Sequence, residues 1–228
     1  MLRNMEDLED MCSIRQFKAF VFDMDGLIFD SERIVQRSWN ISGQKLGLGN
    51  VGEHIYYTLG LNRASRKKYY EENIRKDFPF DEFSVLTRKT FFEIVESEGL
   101  PMKPGVKEIL SYGKEMGMQL ALATSSSRDY AMKCLRDAGI DTYFDGIVCG
   151  DMVSHSKPDP EIYLRACELV NVEPEDAIAF EDAPAGIEAA HRAGMKVIMV
   201  PDLVQPTKEV ECMLWKKWKT LLDVFNLS

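Results

Sequence analysis

The chain has 228 residues, 45% of them hydrophobic and 10% aromatic, a composition that excludes a disordered tail protein because enough apolar surface is present to build a core. At this length folding buries roughly 70 to 75% of the unfolded surface, so no disulfide or metal staple is needed for stability. Lys plus Arg total 28 against 37 for Asp plus Glu, a net charge of −9, which repels phosphate backbones and anionic headgroups and argues against nucleic acid or a membrane as the primary partner.

Residues 1–16 carry Glu6, Asp7, Glu9 and Asp10 and lack a basic start followed by an apolar stretch. No export signal is expected there, and a cytoplasmic location is. Residues 18–23 read as a buried strand. Residues 32–100 break the β rhythm, because their apolar side chains recur at helical spacing: Ile34, Trp39, Ile41 and Leu46, then Ile55, Tyr56 and Leu59, then Phe83, Leu86, Phe91, Ile94 and Val95. This segment reads as a helical cap inserted after the first strand and hinged at 29–31 and 101–105, which leaves residues 1–31 and 101–228 as the core.

From residue 106 onward helices and short apolar strands alternate. Helices are expected over 106–116, 128–138, 160–170 and 184–193, and strands over 119–124, 146–149, 177–181 and 196–200. Gly139 and Gly194 fall where helix C-caps belong, and Pro104, Pro160 and Pro184 fall near helix starts. The fold class is therefore α/β: a doubly wound, Rossmann-like parallel sheet carrying the helical cap. The tail, with Trp215, Trp218, Leu221, Leu222, Val224 and Phe225, reads as a final amphipathic helix packed on the core. No apolar run approaches the roughly 18 residues that a bilayer helix needs. Cys12, Cys134, Cys149, Cys167 and Cys212 show no Cys-x-x-Cys pair and read as reduced thiols, while His54, His155 and His191 show no metal spacing.

Ligands of open α/β sheets bind outside the carboxyl ends of the strands. The first strand ends in Phe22-Asp23-Met24-Asp25-Gly26, and two carboxylates at the end of a buried strand call for a compensating partner such as a divalent cation. The second ends in Thr124-Ser125-Ser126-Ser127, which suits either an oxyanion or ordinary N-capping. Lys157, set between Ser156 and Pro158-Asp159-Pro160, follows the third. The fourth ends in Glu181-Asp182-Ala183-Pro184-Ala185-Gly186, an acid pair that also fits a helix cap. Together the four ends offer a nucleophile, a metal cradle and cationic or hydroxyl donors around one phosphoryl-sized space.

At these residues the chain resembles the haloacid dehalogenase superfamily. The run from Asp23 to Glu32 looks like its first motif, Thr124 its second, Lys157 its third, and Glu181-Asp182 with Gly186 its fourth, and the helical insertion resembles the small cap of the subgroup containing β-phosphoglucomutase and sugar-phosphate phosphatases. The resemblance implies an Mg²⁺-dependent phosphatase acting on a small phosphorylated metabolite such as a sugar phosphate. Asp23 would be the nucleophile that becomes an aspartyl phosphate, and Asp25 the acid and base. Asp23, the Asp25 carbonyl, Asp182 and the nearby Glu181 would serve the metal, and Thr124, Ser125 and Lys157 the phosphoryl oxygens. Gly60-Leu61-Asn62-Arg63 resembles a cap segment in which Arg63 meets a second part of the ligand. Ser126 would join Thr124 and Ser125 in binding the substrate phosphate; Arg128 at the core rim, Lys89 on a later cap helix and Glu32 at the hinge would assist, although Lys89 and Arg128 equally suit a solvated helix surface.

Two other functions fit the same residues: a β-phosphoglucomutase-type mutase, and a non-catalytic protein that binds a phosphorylated metabolite. Such mutases carry a cap-hinge histidine where this chain has Val35, which favours hydrolysis. A monomer or weak homo-oligomer is expected.

Overall fold

A computed structural model describes residues 14–58 and 63–227. Cys12, the acidic residues of the amino terminus and the segment Leu59, Gly60, Leu61 and Asn62 lie outside the described residues. The chain divides into two compact units, one of residues within Met1–Phe29 and Met102–Ser228, the other Asp30–Pro101.

The first unit is built on a six-stranded sheet whose pairings are all parallel. Its strands are β1 (Ala19–Phe22), β2 (Gln119–Thr124), β3 (Gly146–Cys149), β4 (Ala177–Glu181), β5 (Lys196–Met199) and β6 (Lys216–Lys217), in the spatial order β3-β2-β1-β4-β5-β6. The strands read as apolar runs because both faces are covered: all four residues of β1 are buried. Side chains alternate between the faces. Ala19, Val21, Ala121, Ala123, Ala177 and Ala179 make one face thin enough for helices to pack closely, and Ile162, Tyr163 and Ala166 lie against it. The other face is aromatic, with Phe22 stacked on Phe180 at 4.9 Å between ring centroids and Phe20 edge-on to Phe180 at 5.1 Å.

Connections run from β1 through β2 to β3 on one side and through β4 to β5 on the other, so the switch in winding falls at β1, where ligand sites of such sheets form. Register aligns Phe22 with both Leu122 and Phe180, which brings the carboxyl ends of β1, β2 and β4 level. Gly139 and Gly194 adopt φ +65° and +89° just past their helices, as the sequence leads one to expect of C-caps.

The tail departs from expectation. Instead of a helix from Trp215, Lys216 and Lys217 pair with Ile198 and Met199 of β5, and the Trp215 and Trp218 amides donate to Val197 and Met199 carbonyls at 2.8 and 2.9 Å. Trp218 is then buried against Phe180, and a 3₁₀ segment, Leu221–Leu227, buries Leu221 and Val224. Asp223 ties the start of this segment by accepting from the Lys219 and Thr220 amides. Lysines on this short strand discourage further pairing at the sheet edge.

In the second unit, α1 (Ser31–Lys45), α2 (Ile55–Thr58), α3 (Arg63–Asn73) and α4 (Phe80–Glu98) enclose an aromatic core. Trp39, Tyr70, Phe78 and Phe83 pack there with ring centroids 4.8 to 5.9 Å apart. Arg37 of α1 holds Glu98 of α4 through two bonds of 2.9 and 2.8 Å. Among the described residues no helix is long and apolar enough to cross a membrane.

Candidate active site

Where β1 ends, the Asp23 amide still donates to the Phe180 carbonyl at 3.0 Å, so the chain leaves the sheet with Asp23 fixed beside the end of β4. A tight turn follows, in which the Gly26 amide donates to Phe29 and the Ile28 amide to Met24, both at 2.9 Å. Gly26 serves two needs there. Its φ is +83°, and a Cβ on it would sit 2.2 Å from Asp182 Oδ2, so only glycine lets the β4 carboxylate approach this loop.

Lys157 is the hub of the buried charges. Its Nζ donates to Asp23 Oδ1 at 2.7 Å, Glu181 Oε1 at 2.6 Å, the Ala123 carbonyl at 3.0 Å and the Tyr163 hydroxyl at 3.3 Å. Burial alone would lower the pKa of this ammonium, but Asp23 and Glu181 outweigh it and hold the group above its ordinary value, firmly cationic. Tyr163, on the helix Glu161–Leu169, donates to Glu181 Oε1 at 2.6 Å and presents its ring face to Lys157 at 4.9 Å. Glu181 Oε2 accepts from the Asp182 and Ala183 amides at 3.1 and 3.3 Å. Both Glu181 oxygens are thus committed to protein donors. Gly186 makes the room: a Cβ there would lie 1.7 Å from Glu181 Oε1.

Ligand oxygens of Asp23, Glu181 and Asp182 lie within 4.8 Å of one another, and all three residues are buried. Buried carboxylates outnumber the single buried lysine, and a hard divalent cation with oxygen ligands is the species that neutralises such a set. The cluster therefore fits a divalent metal of the kind this sheet end was expected to hold. Burial, opposed by Lys157 and reinforced by Glu181 and Asp25, pushes the Asp23 carboxyl up to about 8.

On the second strand end, Thr124 is fully buried and its hydroxyl accepts from the Ser126 amide at 3.1 Å. Ser125 is exposed. The Ser126 hydroxyl donates to Asp25 Oδ2 at 2.7 Å. Ser127 does not cap the helix it precedes: the Arg128 amide is capped by Asp151. Arg63 lies in the helical unit, where it pairs with Asp81 at 2.5 Å and covers the Phe80 ring at 5.0 Å. Lys89 pairs with Glu93 at 3.8 Å on an exposed face. His155 comes near Asp159 and Glu161, but Glu161 accepts from the Ser154 and His155 amides and pairs with Arg165, which are the contacts of a tied loop. Sequence reasoning missed Tyr163. The signal available was an aromatic residue six places after Lys157 that carries a polar tip into an otherwise apolar helix face.

Set against known proteins, residues 20–200 match the model of the haloacid dehalogenase-like hydrolases. The chain belongs to that family. It is 36% identical over 220 residues to YhcW of Bacillus subtilis (strain 168), covering 92% of this chain and 98% of that protein. It is 33% identical to the phosphorylated carbohydrates phosphatase of Thermotoga maritima, over 79% of this chain and 83% of that one. Among solved structures, CbbY from Rhodobacter sphaeroides in complex with phosphate superposes with a TM-score of 0.72 at 25% identity, covering 91% and 96% of the two chains.

Proposed function

We propose that this chain is an Mg²⁺-dependent phosphatase that hydrolyses a small phosphorylated metabolite, a sugar phosphate in the first instance, through an aspartyl phosphate on Asp23. The observation that carries this reading is the buried gathering of Asp23, Glu181 and Asp182 around Lys157 at the switch point of the sheet. The family relative from Thermotoga maritima, named for phosphorylated carbohydrates, supports the substrate class.

Asp23, Asp182 and the Asp25 carbonyl would hold the Mg²⁺, which when bound neutralises charge on the phosphoryl oxygens. A carboxylate oxygen of Asp23 attacks phosphorus, splitting one difficult hydrolysis into two displacements. Lys157 remains beside that carboxylate and offsets the negative charge that gathers there. Thr124 and the Ser125 amide orient the phosphoryl group. Asp25 gives its proton to the leaving oxygen and later takes one from the attacking water. Glu181, held by Tyr163 and two amides, fixes Lys157 from behind rather than meeting the ligand. The helical unit is proposed as the cap that selects the substrate, with Arg63 reading a second part of it. Three buried free cysteines, Cys134, Cys149 and Cys167, suit a reducing compartment, and we place the protein in the cytoplasm.

The test is phosphate release from p-nitrophenyl phosphate and a panel of sugar phosphates, with Mg²⁺ and then with chelator. Mg²⁺-dependent release that Asp23→Asn abolishes is expected. Folded protein that releases no phosphate would favour a binding protein, and glucose 6-phosphate formed from β-glucose 1-phosphate without free phosphate would favour a mutase.

A further inference from the structure

We propose that Ser126 is a positioning residue for Asp25, fixing the carboxyl group that exchanges a proton with the leaving oxygen; this rests on the phosphatase reading above. The Ser126 hydroxyl donates to Asp25 Oδ2 at 2.7 Å, joining loops 101 residues apart in the chain. Its backbone is tied on both sides. The Ser126 amide donates to Thr124 Oγ1 at 3.1 Å, and its carbonyl accepts from the Gly150 amide at 2.9 Å. That second tie requires glycine, because a Cβ on Gly150 would lie 2.2 Å from the Ser125 carbonyl oxygen. Asp151, the next residue, caps the Arg128 amide at 3.1 Å and holds the following helix start to the same loop. The hydroxyl therefore stands on a preorganised support, whereas an aspartate side chain left to itself samples several rotamers.

Orientation matters because proton transfer needs donor and acceptor within roughly 2.6 to 3.2 Å. As the bond from Asp23 to phosphorus forms and the ester P–O bond breaks, the proton on Asp25 moves to the departing oxygen, leaving an alcohol and the Asp25 carboxylate. In the second displacement Asp25 takes a proton from water as the water oxygen bonds to phosphorus and the Asp23–phosphorus bond breaks, releasing inorganic phosphate. The serine hydroxyl donates to Oδ2 whether or not the other carboxyl oxygen carries the proton, so it holds Asp25 in both half-reactions while Oδ1 exchanges the proton with the departing oxygen and then with water.

The prediction is selective for the leaving group. p-Nitrophenolate departs with little need of a proton, whereas phenolate needs one more. Replacing Ser126→Ala should lower kcat/KM for phenyl phosphate about tenfold or more beyond its effect on p-nitrophenyl phosphate, and Ser126→Thr should restore most of the difference. Gly150→Ala, which moves the support without touching Asp25, should give the same selectivity. Equal losses on the two esters, or a KM-only effect, would overturn the proposal and assign Ser126 to phosphate binding. Wild-type protein that hydrolyses neither ester would instead bring down the phosphatase reading itself.

Discussion

Replacing Gly186→Ala sets two physical effects of opposite sign against each other. Gly186 is the third residue of the helix Pro184–Arg192, and alanine is better than glycine in a helix by about 1 kcal/mol, so propensity alone forecasts a more stable protein. The structure forecasts the reverse. The new methyl would lie 1.7 Å from Glu181 Oε1 and 2.0 Å from Cδ, closer than any side chain can tolerate. Glu181 must then leave Lys157 and the Tyr163 hydroxyl, each 2.6 Å away. Breaking a buried pair of this kind costs about 3 to 5 kcal/mol, so after the helix gain the net loss is about 2 to 4 kcal/mol. For a chain of 228 residues the unfolding entropy is about 0.48 kcal/mol/K, and Tm should fall by about 4 to 8 °C. Differential scanning calorimetry of the two proteins at neutral pH measures it. A Tm that is unchanged or higher in the variant would refute the steric argument and the role given to Glu181.

Tyr163→Phe removes only the hydroxyl that bonds Glu181 and Lys157, and should cost about 1.5 to 3 kcal/mol by chemical denaturation while leaving the far-UV circular dichroism spectrum intact. Because Asp23 is pushed up to about 8, the cation-free site holds a proton below that pH which a divalent cation must expel. Mg²⁺ binding should therefore release a proton at about pH 7, release none at about pH 9.5, and strengthen as pH rises towards 8; calorimetric titration in buffers of different ionisation enthalpy detects it. Asp182→Asn should weaken Mg²⁺ at least tenfold in the same titration with little change in fold, since Asp182 meets the loop at Gly26 rather than the core.

Much of the sheet was legible in the sequence because strands buried on both faces must be apolar throughout, as in Phe20-Val21-Phe22 and Ala177-Ile178-Ala179-Phe180. The strand at Lys216 was not, because two lysines paired at a sheet edge carry neither an apolar run nor a full alternation, and the surrounding tryptophans and leucines fit helical spacing equally well. At the site, Asp23, Lys157 and Asp182 were readable from charge placed after apolar strands, where burial demands compensation. Tyr163 was hidden because its ring belongs to the apolar face of its helix, and only the long-range bond from its hydroxyl reveals the polar end. Ser126 and Ser127 show the same limit: local capping and a bond to a distant carboxylate look alike in sequence. Here the cap is supplied by Asp151, 23 residues away, while Ser126 turns to Asp25.

The proposed chemistry requires acids from separate strand ends to hold one divalent cation beside Lys157. Crystals grown with Mn²⁺ in place of Mg²⁺, together with phosphate, would locate the ion by its anomalous scattering. A single strong peak bonded to carboxylate oxygens of both Asp23 and Asp182, with the phosphate against it, is expected. A fully occupied ion elsewhere, with Asp23 and Asp182 still facing only protein groups, would contradict it.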